Sequence, residues 1–328
     1  MITPLIPPLT TAVVHQSGIS NVMRIRTAIS AVLASSLTAA LAVTSAPAFA
    51  AGGNTATQAA AVVQKVTGTQ AIAASTTTDA SPAQATKAGV TVTAPGNASG
   101  QVAATAPGKG SLSLGLPGRS DVEGVKTGQG TVVYPDAAKA TDLAVQPSTD
   151  GGASTLITLK NAQAPTTQRF TLNLPVDTKA VEDGAGGYLL LRALAGGAAQ
   201  EVGRISAPWA KDANGKPVPT HYTLEGNQLI QTVETASDTA FPVVADPHFT
   251  WGIITGTAYF NKHETEQIAL GGATAVAIVS AVGGPFDLVI DPIVGLAVAQ
   301  AALASHAGKC VEIKSDGIVA QYKGGYCK

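Results

Sequence analysis

Residues 208–247 read PWAKDANGKPVPTHYTLEGNQLIQTVETASDTAFPVVADP. Two runs rich in β-branched residues, Val218-Pro219-Thr220-His221-Tyr222-Thr223-Leu224 and Gln228-Leu229-Ile230-Gln231-Thr232-Val233, flank Glu225-Gly226-Asn227. A Gly-Asn centre tolerates the positive φ angles of a two-residue hairpin turn. That turn predicts the pairs Leu224 with Leu229, Tyr222 with Gln231, and Thr220 with Val233. Side chains alternate with period two, so Tyr222, Leu224, Leu229 and Val233 share a core face. His221 and Thr223 fall on the wetter one. Asp212-Ala213-Asn214-Gly215 marks an earlier turn, and Phe241-Pro242-Val243-Val244 reads as a closing strand.

Working towards the N-terminus, similar runs recur at 90–93, 111–116, 131–134, 143–146, 154–159, 170–174 and 188–192. Turn residues separate them, as in Ala94-Pro95-Gly96 and Pro117-Gly118. Short strands with no amphipathic helix between them predict an antiparallel β-sandwich-like domain over 88–247. Before it, 51–87 is Ala, Thr, Gln, Ser and Gly with almost no large apolar residue. Such text is expected to be a disordered Ala/Thr-rich spacer, with at most a flickering helix over 56–66, because it buries too little surface to offset its ordering entropy.

Residues 1–50 read as an export signal. Arg24 and Arg26 precede an uncharged apolar run over 28–43, and Ala48-Phe49-Ala50 supplies the small residues of a cleavage site between Ala50 and Ala51. Met23 stands just ahead of the arginines and is the expected initiator. The apolar run is too short to favour a membrane anchor.

The text changes period after a linker at 248–260. Asn261-Lys262-His263-Glu264 has the form of a capping box, and a helix is expected from there to Gly283-Gly284-Pro285. Asp291-Pro292 is expected to start a second helix, with Asp291 as its cap. The tail over 261–328 therefore reads as a two-helix hairpin closed by a small β-hairpin. Cys310 and Cys327, the two cysteines of the chain, flank a turn at Asp316-Gly317 and suit one structural disulfide. They lack the spacing and further ligands of a metal or redox pair. The uncharged run from Ile268 to Phe286 is nominally long enough to span a bilayer. Two readings of 268–305 stand side by side: a tight soluble hairpin, or a membrane-contacting one.

Net charge is −1 with 12% charged residues, which offers no electrostatic basis for binding nucleic acid. No Gly-x-Ser-x-Gly elbow, His-Glu-x-x-His helix or nucleotide-binding glycine loop is present, so no catalytic, cofactor or metal residue is assigned. The enzyme alternative requires a dispersed site, with Asp246, His248 and Glu264 as its candidates.

Several segments carry a resemblance. Val133-Tyr134-Pro135, Val145-Gln146-Pro147, Pro208-Trp209-Ala210, Val218-Pro219-Thr220-His221-Tyr222 and Pro242-Val243-Val244-Ala245-Asp246-Pro247 resemble a β-rich segment of uncharacterised secreted proteins of actinobacteria. Tyr259-Phe260-Asn261 with Glu264-Thr265, and the closing Gly324-Gly325-Tyr326-Cys327, resemble the tail of the same proteins. The resemblance implies export and a β-then-helical architecture, and no activity. The Pro-Val-Val-Ala-Asp-Pro ending more weakly resembles β segments of surface proteins with Rhs-type repeats. The expected function is a secreted, non-catalytic cell-surface or extracellular interaction protein of unknown ligand. Without a Leu-Pro-x-Thr-Gly signal, any wall association is expected to be non-covalent. The alternatives are a membrane-active protein working through its helical tail, and an extracellular hydrolase.

Overall fold

The computed structural model describes residues 55–68, 71–79, 81–87, 89–108, 110–128, 130–252, 256–286 and 288–328. The export segment 1–50 and the cleavage positions Ala50 and Ala51 lie outside them. Helix α1 (Thr55–Thr67) precedes strands β1 (Thr76–Thr78), β2 (Ser81–Lys87), β3 (Val90–Thr93), β4 (Gln101–Ala106), β5 (Gly110–Gly115), β6 (Val125–Thr127), β7 (Thr131–Ala138), β8 (Thr141–Pro147) and β9 (Gly152–Leu159). Next come β10 (Thr167–Asn173), β11 (Thr178–Glu182), β12 (Tyr188–Ala193), β13 (Ala199–Ile205), β14 (Ala210–Lys211), β15 (Thr220–Glu225), β16 (Gln228–Val233) and β17 (Val243–Ala245). The remainder is β18 (His248–Trp251), β19 (Thr257–Tyr259), α2 (Lys262–Ala269), α3 (Gly272–Phe286), α4 (Ile290–His306), β20 (Cys310–Lys314) and β21 (Val319–Tyr322).

The strands form two antiparallel sheets. One has eight strands in the order β1-β2-β3-β4-β5-β10-β16-β15. The other has thirteen, with the path β21-β20-β19-β13-β18-β9-β8-β7-β6 and β11, β12, β14 and β17 off it. Val92, Leu112, Leu114, Phe170 and Leu229 of the first sheet share one core with Tyr134, Leu143, Ile157, Phe249 and Trp251 of the second. The β-sandwich is therefore present. The β15–β16 hairpin has the predicted register, Leu224 opposite Leu229, Tyr222 opposite Gln231 and Thr220 opposite Val233. Gly226 turns it with φ of 60°. Tyr222, Leu229 and Val233 are buried, Leu224 is half-buried, and His221 and Thr223 are exposed.

The expected disordered spacer is instead ordered where it is described. Helix α1 sets Ala56, Ala59, Ala60 and Val63 against Val133, Ala144, Leu156 and Val244 on the outer face of the second sheet. Alanines at i, i+3 and i+4 bury little area each, but they let the helix approach the sheet closely, and alanine is the best helix former. Residues of β1 and β2 extend the first sheet. The expected linker at 248–260 is corrected too: β18 pairs with β13 on one side and β9 on the other, at the centre of the second sheet. Strand β8 is buried at every position because it has the inter-sheet core on one face and α1 on the other.

The tail holds three helices rather than two. Asn261 and Glu264 form the capping box, with Asn261 Oδ1 accepting from the Glu264 N–H at 3.1 Å. Gly271 and Gly272 then take φ of 73° and 67°, which a right-handed helix cannot absorb, so α2 ends there. Gly283, Gly284 and Pro285 continue α3 rather than ending it. Helix α4 is capped by Val289, without a side-chain bond, and Asp291 lies in its first turn instead of at the cap. Ile268, Ile278, Val279, Ile293 and Ala297 pack against Phe260, Val311 and Ile313. The Cys310–Cys327 disulfide is present, but Cys310 pairs across the hairpin with Tyr322, so Cys327 ties the end of the chain back rather than closing the ladder. Among the described residues no helix is long and apolar enough to cross a membrane.

Candidate functional site

A cleft of about 650 Å³ opens where the C-terminal end of α1 meets the second sheet. Its apolar wall is Val66, Ile72 and Trp209, and its polar groups come from Gln146, Asp150, Ser154, Lys211, Asp246 and His248. The rim is stitched by backbone. Ala73 N–H donates to the Pro147 carbonyl at 2.7 Å and Thr149 N–H to the Ala71 carbonyl at 2.9 Å. The segment at 71–73, after α1, and the β8–β9 turn are therefore tied together along the rim.

Asp150 is placed by that turn. Its carboxylate accepts from Gly152 N–H at 3.1 Å, from the Ser148 hydroxyl, and lies 3.0 Å from His248 Nε2. Gly152 is required here, since a Cβ would come within 2.0 Å of the Phe249 carbonyl on β18. The other ring nitrogen, His248 Nδ1, is 3.0 Å from Ser154 Oγ, its direct cross-strand partner. Partial burial pushes the Asp150 carboxyl up, but the bonds from His248, Ser148 and Gly152 outweigh it and hold the carboxyl at about 2.

Asp246 is the second acid. It is fully buried, and burial pushes its carboxyl up to about 7 although the Trp209 N–H, donating to Oδ1 at 2.9 Å, and the charge of His248 favour the anion. Its Oδ2 has no hydrogen-bond partner, and neither do Tyr222 Oη and Gln231 Oε1. Burial first, and the adjacent Asp246 charge second, push the Tyr222 phenol far up. Lys211 Nζ sits 5.8 Å from the Trp209 ring centroid, closing one side of the cleft.

Of the dispersed trio expected from sequence, Asp246 and His248 line this cleft and Glu264 does not. Glu264 is committed to the capping box, where its carboxylate accepts from Asn261 N–H at 3.1 Å. Asp150 and Ser154 were missed. The Thr149-Asp150-Gly151-Gly152 turn is visible in sequence, but its meeting with His248 depends on β18 pairing with β9, almost a hundred residues away. Among the described residues, no three of His, Cys, Asp and Glu gather as metal ligands. Comparison with protein-family models, curated proteins and solved structures gives no match to this chain.

Proposed function

We propose that this is an extracellular, non-catalytic interaction protein that takes a small ligand, or a small moiety of a larger one, in the α1–sheet cleft. The observation that carries the reading is the lining of the cleft, an apolar wall facing a few convergent polar groups. The disulfide, together with the export signal expected from the sequence, supports an oxidising compartment. The Ser154–His248–Asp150 chain has the membership of an acyl-transfer triad, but the local groups suit binding better. Thr155 N–H, beside Ser154, is already given to the Pro247 carbonyl at 2.7 Å, so that donor is not free to hold an oxyanion.

The test is retention. The chain from Ala51 onward, added to washed cells of its host, is expected to bind, and Ala71→Trp at the rim of the cleft is expected to weaken binding at least about tenfold without changing the melting temperature. Equal retention of the filled variant, or recovery of the uncleaved chain in the host cytosol, removes the reading.

A second reading rests on a separate observation. Val276 on α3 and Leu296 and Leu303 on α4 are exposed, as are Leu270 and Val289 at helix ends, and α3 and α4 carry a single acidic residue, Asp291. Such exposed apolar side chains suit shallow contact with a lipid surface rather than a span.

A further inference from the structure

The polar groups of the cleft are unequally committed. The Asp150 carboxylate is taken up by His248 Nε2, the Ser148 hydroxyl and Gly152 N–H, and the second ring nitrogen of His248 is taken up by Ser154. Asp246 accepts from Trp209 N–H, and Gln146 Nε2 donates to Thr131 Oγ1 at 3.1 Å. Lys211 differs. Among the described residues its ammonium has neither a carboxylate nor a carbonyl as partner, and its neighbour is the Trp209 ring. The hydroxyls of Thr149 and Ser206 on the same lining are uncommitted as well. The unspent capacity of the cleft is therefore one full positive charge, with hydroxyls that can turn their protons towards a ligand.

A second lysine adds to that charge. Beside the cleft lies a hollow of about 410 Å³ that shares Val66 and Lys211 with it and is also lined by Lys65. Lys65 Nζ donates to the Ala213 carbonyl at 3.1 Å, so its partner is a neutral group. The carboxylate on that hollow belongs to Asp212, which is buried, and its Oδ1 accepts from the N–H groups of Asn214 and Lys216, each at 2.9 Å. Lys211 thus stands where the two hollows meet.

These groups narrow the ligand. An ammonium held against an indole ring gains most from a charge-assisted bond to an anion. A dianion would bring a second negative charge into a cleft that already holds Asp150 and Asp246, so a single charge suits it better. Val66, Ile72 and Trp209 are half-buried, and a hydrocarbon body removes the rest of their surface from water.

We propose that the cleft selects an organic monocarboxylate with an apolar body, its carboxylate meeting Lys211 and its hydrocarbon part lying on Val66, Ile72 and Trp209. The inference rests on the reading of this cleft as a ligand site and names the chemistry of its ligand.

Calorimetric titration of the chain from Ala51 onward with octanoate, octanamide and octylammonium tests it. Octanoate is expected to bind at least about tenfold more tightly than either of the others, and about 0.5 M NaCl should weaken it. Lys211→Gln should bring octanoate down to the level of octanamide, Lys211→Arg should keep the preference, and neither should move the melting temperature. Ala71→Trp should abolish octanoate binding. The proposal is overturned if octanoate does not bind, if octanamide or octylammonium matches it, or if Lys211→Gln leaves it unchanged. Binding that survives Ala71→Trp also overturns it, because the acid then sits elsewhere, for instance on the exposed side chains of the helical tail. If octanoate fails while Ala71→Trp still loses host-cell retention, the cleft reading stands and this one goes. If octanoate behaves as expected while host-cell retention is unchanged in Ala71→Trp, this site stands and the interaction reading goes.

Discussion

Asp246 closes a strand with a buried carboxylate that has Tyr222, Gln231 and His248 around it and accepts from the Trp209 N–H at 2.9 Å. In the folded protein it keeps its proton up to about 7, against 3.8 for the free side chain. Between those values the folded state holds a proton that the unfolded chain has released. Stability is therefore full below the lower value, falls as pH rises towards the upper one, and levels off above it, by about 1.4 kcal/mol per pH unit at the steepest. Asp246→Asn keeps an acceptor for Trp209 N–H and removes the ionisation. Its melting temperature should match the wild type in acid and exceed it above neutrality; parallel curves for the two proteins would contradict this account. Asp150 acts in the opposite direction, supporting the fold above 3.8 and ceasing to do so as pH falls through about 2. Sequence singled out Asp246 and His248 but not Asp150 or Ser154. The latter two matter through a strand pairing that no local pattern encodes.

Among the elements, α1 departs most from expectation. Its composition is that of a solvated tail, yet Val63 is only 1% exposed and packs on Val133 and Leu156. Low complexity concealed a stripe at 56, 59, 60 and 63 that is apolar at helical spacing. Val63→Asp would bury an unpaired charge and should cost at least about 3 kcal/mol or release the helix. Limited proteolysis then cuts within 55–75 well before the sandwich, and a variant as resistant as the wild type would show that α1 does not depend on this seat. At the other end, the split between α2 and α3 was hidden in Gly271-Gly272. Two glycines inside an apolar periodic run read equally well as helix or break, and the positive φ values resolve it.

Across the whole molecule the tail shows two faces of opposite character. Ile268, Ile278 and Ile293 are buried, whereas Val289 and Leu296 are 74% and 46% exposed. A fully packed scaffold would cover both sets, and a free membrane hairpin would cover neither. Ala277 is also exposed, so an arginine there is accommodated in water rather than unfolding the tail. If these exposed side chains meet lipid, the oxidised chain should float with phosphatidylcholine vesicles, and Leu296→Glu with Leu303→Glu should leave it in the soluble fraction. A chain that never floats removes the membrane reading while leaving the cleft reading untouched.

The sequence by itself determined the local structure: the alternation of 220–233 with its Gly226 turn, most of the sandwich strands, the capping box at Asn261 and the cysteine pair. Each depends on residues within a turn or two of one another, or on simple parity, and so survives in one dimension. Only the tertiary structure decided that α1 covers the second sheet, that β18 is a central strand rather than a linker, and that Asp150, Ser154 and His248 share a cleft. It also decided which apolar residues of the helical tail are left exposed. Those outcomes follow from which faces meet across long loops, and the free energy that selects them is shared burial, to which no single stretch contributes enough to be read alone.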